Sequence, residues 1–141
     1  MLSPKREGIH NLNGNCTLYH VIQKHDGIWQ FERRQTDSVR TGSMLGRVTV
    51  GKVSHKAVIR VQEILADPNR IRVHDPNWDL EMWVEEAISD LVHAGVLQTR
   101  VSIDVPHLMK YARQQSNEVL KRGLNAGYRL PPTSEYPGPI P

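Results

Sequence analysis

The chain has 141 residues, enough for one domain that buries its own core without staples. Lysine and arginine exceed aspartate and glutamate by 18 − 15 = +3, spread without a basic block or an aromatic ladder, which speaks against nucleic acid as a partner. A single cysteine, Cys16, excludes an internal disulfide framework; with no apolar run long enough to span a bilayer and no recognisable signal peptide, a cytoplasmic protein is expected.

Residues 1–15 are polar and turn-rich and read as a flexible N-terminal arm. CTLYHVIQ and GIWQFERR then read as two strands, with Asp26-Gly27 between them as a hairpin signal. A two-residue turn there sets Ile22 opposite Phe31 and Lys24 opposite Trp29. Cys16, Leu18, His20, Ile22, Trp29 and Phe31 would then share one face, with His20 as its polar member. QTDSVRTGS is a loop, and MLGRVTVGKV a third strand that turns Val48 and Val50 one way and Arg47, Thr49 and Gly51 the other. Glycines at 42, 46 and 51 make no phosphate loop; a glycine in a strand marks a bulge or a close backbone approach.

From Ser54, a candidate cap, Val58, Val61, Ile64 and Leu65 recur at helical spacing until Asp67-Pro68-Asn69 stops the helix. RIRV, residues 70–73, reads as a short strand. The clearest helical pattern is DPNWDLEMWVEEAISDLVHAG, residues 75–95, which organises the rest. Leu80, Val84, Ala87, Ile88 and Leu91 stack on one face, Asp75 or Asn77 is placed to cap it, and Gly95 to end it. Trp78, Met82 and Trp83 widen the apolar surface beyond that stripe, which suits core packing or a second contact on the far side. Residues 96–103 are extended or irregular, and Asp104 caps a third helix whose face is Val105, Leu108, Met109, Ala112, Val119 and Leu120. The proline-rich end, PPTSEYPGPIP, has the composition of a solvated or draped tail. The sum is an α+β fold, a small antiparallel sheet of three to four strands packed against two to three helices: arm 1–15, a single domain 16–124, tail 125–141.

Few residue patterns here carry chemistry. The seven histidines show no His-x-x-x-His pair and no metal spacing with Cys16, so no metal or other cofactor is expected. Cys16 and His20 lie four apart on one strand, roughly 13 Å, too far to form a thiolate pair. No Gly-x-Ser-x-Gly elbow is present.

The succession LYHV, WQFERR, LGRVTVGKVSHKAVIRVQEIL and NWDLEMWVEEAISDLVHAGVL, from about Leu18 to about Tyr111, resembles a family of small fungal proteins. RVTVGKV and the frame Trp78-x-x-x-x-Trp83-Val84 carry most of the likeness. Longer members of that family look like a permuted papain or NlpC/P60-type α/β fold, with a Tyr-His-Trp motif on an early strand and a Cys two residues after the first Trp of the helix. Here Leu80 stands in place of that Cys, and the chain begins near the end of that strand, around Ser3-Pro4-Lys5. The resemblance therefore implies a scaffold whose hydrolytic site has been emptied, with an open sheet edge that a homodimer would cover, there or over Trp83.

An emptied apolar cleft admits two functions. One is a cofactor-independent cyclase or isomerase of fungal secondary metabolism that folds an apolar polyene or terpenoid for a pericyclic reaction, such as a norbornene-forming Diels–Alder closure. The other is a non-catalytic binding or interaction protein, a degenerate member of the papain-like family. For either, the expected site lies between the hairpin face and the helix, lined by Trp29, Phe31, Trp78, Met82 and Trp83. His20 is the expected catalytic polar group, with Tyr19 and Arg47 replacing it if the strand register shifts by one.

Overall fold

Asn15–Gln23 (β2) and Trp29–Asp37 (β3) form the expected hairpin, but through a different turn. The computed structural model describes residues 2–4, 15–37, 47–122 and 133–139. Within it Gly27 N donates to the Lys24 carbonyl (2.8 Å), Lys24 N to the Ile28 carbonyl (3.1 Å) and Ile28 N to Asp26 Oδ1 (2.9 Å). Within the turn only Gly27 has a positive φ, +81°, whereas a two-residue turn of the tight kind needs two such residues. The loop is thus three residues long, His25–Gly27, and the register moves by one: Val21 opposes Phe31 and Gln23 opposes Trp29. Tyr19 and Val21, not His20 and Ile22, therefore share the inner face with Phe31, and both are buried.

The N-terminal stretch is not wholly an arm. Leu2–Pro4 (β1) pairs antiparallel with β2, Leu2 opposite Leu18, and makes the sheet three-stranded in the order β1-β2-β3. One edge of β2 is thereby paired over those residues. Residues 5–14, the loop at 38–46 with Gly42 and Gly46, and the tail at 123–132 lie outside the described residues.

The expected third strand divides. Arg47–Thr49 (β4) runs parallel to Thr133–Glu135 (β7), and Lys52–Val53 (β5) runs antiparallel to Leu97–Gln98 (β6). Gly51 sits at the break because a Cβ there would lie 2.6 Å from the Gln98 carbonyl oxygen, the close backbone approach its presence in the strand predicts. The proline-rich end is therefore not merely a tail: it supplies a strand, and Tyr136 after it is buried.

Ser54 opens a 3-10 turn, His55–Ala57, without a side-chain cap, and α1 (Val58–Leu65) follows with Val61, Ile64 and Leu65 buried. RIRV is not a strand. Pro68–Arg70 is a second 3-10 turn, and Arg70 at its end and Arg72 just beyond it bind the central helix: Arg70 to Asp90 (2.7 Å) and Arg72 to both oxygens of Glu86 (3.1 and 2.6 Å).

The central helix, α2 (Leu80–His93), starts later than Asp75 or Asn77 would set it. Asp75 instead closes a turn by accepting from Asn77 N, and Asp79 is the cap, its carboxylate accepting from Met82 N at 2.8 Å. At the other end Gly95 (φ +70°) donates to the Val92 carbonyl and Val96 to that of Leu91, the paired bonds of a Schellman ending. Trp83, one turn before Ala87, joins Ala87, Ile88 and Leu91 on the buried face, while Leu80, the first helical residue, is 42% exposed.

Two apolar clusters meet on α2. Ala87 and Leu91 join Tyr19, Val61, Ile64 and Leu65, backed by Phe31. Ile88 joins Leu108 and Tyr136, backed by Val48, Val84 and Val101. Leu108 belongs to α3 (Val105–Lys121), capped by Asp104 through His107 N (3.0 Å); Leu120, expected on its buried face, is exposed. The fold is α+β; the described residues form three α-helices and three small sheets, one of them parallel.

Candidate functional site

An open groove runs between the hairpin end and the segment leading into α2. Its first lobe, about 610 Å³, is lined by Gly27–Phe31 on one side and by Ala66, Pro68, Ile71 and Val73 on the other. Its second, about 540 Å³, is lined by Trp29, Val73, Trp78, Asp79, Leu80 and Glu81. Either volume suits a small organic molecule. Trp29 and Val73 belong to both lobes, so the two are one continuous surface.

The walls follow from local sequence. The three-residue turn carries Ile28 outward and Trp29 sideways, where its ring meets Trp78 edge to face, with centroids 6.2 Å apart at 78°. Trp78 is held there by the turn at residues 75–78, whose Trp78 N donates to the Asp75 carbonyl. The rim is apolar and solvent-exposed at Ile28, Val73 and Leu80. Trp78 keeps its indole N–H buried without a hydrogen-bond acceptor among the described residues.

Of the expected lining, Trp29, Phe31 and Trp78 are present. Trp83 is not: it is 2% exposed and packs against Phe31 in the interior (centroids 6.3 Å). Met82, on the first turn of α2, lies outside both lobes. Because Trp83 is buried, the surface expected to join two copies there does not exist.

The expected polar residues are dispersed. His20 points to the other face of the hairpin, where Nε2 lies 3.3 Å from Glu32 Oε1 across the strands. Tyr19 takes its place on the inner face but is closed in, stacked on Phe31 (6.3 Å) with its hydroxyl accepting from Gln62 Nε2 at 3.4 Å. Arg47 lies on β4 beside Thr133 and lines neither lobe. Asp79 and Glu81, which the sequence reading passed over, are the charged groups that do line the groove. Ile71 and Val73 were legible as apolar positions in RIRV, but the strand reading hid their role.

A second polar cluster stands apart. His107 Nδ1 lies 2.8 Å from the Tyr136 hydroxyl, which is also 3.5 Å from the Asp104 carbonyl oxygen, and Tyr111 donates to the Glu135 carbonyl (3.3 Å). Burial raises the Tyr136 pKa above its ordinary value, with the Asp104 carboxylate adding to the rise and a hydrogen bond to the Asp104 backbone opposing it. These contacts lock β7 onto α3. Among the described residues no group of three or more His, Cys, Asp or Glu side chains converges as a metal site would, and no helix is long and apolar enough to cross a membrane.

A family model, Family of unknown function (DUF6914), matches residues 1–122. The chain belongs to the DUF6914 family. No curated protein and no solved structure matches it. The DUF6914 segment contains the hairpin, all three helices and every residue lining the groove, whereas β7 and Tyr136 follow it.

Proposed function

We propose that this DUF6914 protein binds an apolar small molecule of polyene or terpenoid kind in the Trp29–Trp78 groove and holds it folded. The edge-to-face pair that joins the two lobes carries this reading, because two rigid rings at a right angle impose a bend on any flexible chain laid across them. Leu80 lines the same groove at the first turn of α2; the resemblance to the fungal family implies a Cys at that position in its longer members, which supports reading the groove as an emptied site. A pericyclic closure, Diels–Alder in kind, is the reaction such a surface supports, since holding the reacting carbons together is most of what that chemistry requires. No His, Tyr or Arg takes part in this proposal; the faces of the two indoles and the shape of the groove carry it.

The second reading, a non-catalytic binding protein, is favoured by the openness of the rim, where Ile28 is 55% exposed and Val73 49%. A cytoplasmic homodimer belongs to the proposal as well, with exposed Ile59 and Leu120 offering apolar surface outside the groove.

Titration with a linear polyene is expected to change tryptophan emission saturably, and Trp29→Leu to weaken binding at least tenfold while the melting temperature stays within a few degrees. Conversion of the bound polyene to a cyclic isomer of equal mass selects the cyclase. Binding without conversion selects the second reading. Trp29→Leu binding as tightly as the parent would sink both.

A further inference from the structure

The two lobes of the groove differ in charge. Apart from Gln30, the first is lined by apolar residues and glycine, and none of its lining residues is ionisable. The second adds two carboxylates, Asp79 and Glu81, to two indoles, and none of its lining residues is basic. We propose, building on the binding reading above, that the ligand is an amphiphile with a quaternary ammonium head: the alkyl chain lies along Ile28, Pro68 and Ile71, and the head sits in the corner between Trp29 and Trp78.

The corner suits that chemistry for three reasons. Indole faces attract a weakly hydrated cation, and two rings at 78° offer two walls at once. The carboxylates give the lobe net negative charge. Asp79 also caps α2, so the positive end of the helix, about half an elementary charge, acts against a cation there. Arg113, reaching Glu81 Oε1 at 2.5 Å, offsets one carboxylate more. Two carboxylates against one guanidinium and half a charge still leave an excess on the acidic side. The third reason is exclusion: an ammonium carrying N–H bonds needs acceptors all round, whereas an alkylated one needs only apolar walls and a distant counter-charge, which is what two indoles, Val73 and two carboxylates supply.

The test uses the full chain and three eight-carbon probes below their micelle concentrations, followed by tryptophan emission. Octyltrimethylammonium is expected to bind at least tenfold more tightly than octanol, and octyl sulfate more weakly than either. In the double variant D79N/E81Q the ratio of octyltrimethylammonium to octanol affinity should fall to about twofold. Asn serves as a helix cap nearly as well as Asp, so the helix start is retained, and a melting curve verifies it. Equal affinities for the ammonium and the alcohol overturn the cationic head and leave the apolar groove standing. A ratio unchanged in the double variant, or sulfate binding as tightly as ammonium, likewise overturns it. Binding of none of the three overturns the groove reading along with it. A trimethyl-lysine peptide that binds more tightly than octyltrimethylammonium overturns the small-molecule assignment.

Discussion

Asp79 joins helix start and groove in one side chain, so its replacement separates the two roles. Asp79→Ala leaves Met82 N without its acceptor and should cost about 1 kcal/mol of stability, whereas Asp79→Asn should fall within a few tenths of the parent; denaturant melts compare them. Tyr136 gives the pH test. Its pKa is raised in the folded chain above the ordinary 10.0. Below pH 10 the phenol is protonated in folded and unfolded chains alike, and its contribution to stability is full. Above pH 10 the unfolded chain releases its proton first, so stability falls as pH rises until the folded pKa is passed. Tyr136→Phe should lose about 1 kcal/mol at neutral pH with the His107 bond, and should then show a shallower decline in melting temperature between pH 10 and 11 than the parent. Equal slopes would refute the shift. At this scale the sequence was legible where one residue acts alone: Asp104 caps and Gly95 terminates as their types require. It was not legible at Tyr19 and His20, because which of two neighbours faces inward depends on a turn five to eight residues away.

At the scale of elements, the hairpin and the three helices could be read from period and punctuation, and the pairings among short strands could not. A three-residue β4 and a two-residue β5 carry too little alternation to announce a partner. RIRV alternates like a strand but spends its arginines on α2, at Asp90 and Glu86, leaving Ile71 and Val73 to line the groove. Gly51 is the position where this level can be tested. A methyl group placed there meets the backbone oxygen of Gln98, which cannot swing aside as a side-chain end would. Gly51→Ala is therefore expected to destabilise by roughly 1–3 kcal/mol, the usual penalty of overpacking. Gly95→Ala, with nothing near its added Cβ but a φ of +70°, should lose about 1 kcal/mol through backbone strain alone. Chemical denaturation ranks the two, and a Gly51→Ala protein as stable as the parent would place β5 and β6 farther apart than described.

For the whole molecule, α2 is the partition between two clusters, which is why one helix pattern could organise the reading of the chain. The candidate site was half legible on the same ground: Trp29, Phe31 and Trp78 are large and apolar and lie on elements that meet. Trp83 shared those properties and went to the interior, since it lies one turn before Ala87 on the buried face of α2. Tyr136 was unreadable from pattern, standing among prolines after a long interval. Tyr136→Ala should remove the centre of the second cluster and cost roughly 3 kcal/mol, judged by the loss on truncating other buried aromatic rings, with increased binding of a hydrophobic dye as the accompanying sign.

The parallel pairing of β4 with β7 also sets an order of events. Ser134 donates to the Arg47 carbonyl across 87 positions of sequence, while the β2–β3 hairpin closes over a three-residue loop. Bringing distant segments together forfeits more chain entropy than closing a short loop, so the hairpin can form early and the β4–β7 contact belongs to the last stage of folding. On a ribosome that last stage must wait for residues 133–139 to emerge. Until then Ile88 and Leu108 lack the Tyr136 ring that covers them, and the nascent chain exposes its second cluster to whatever apolar surface is nearby.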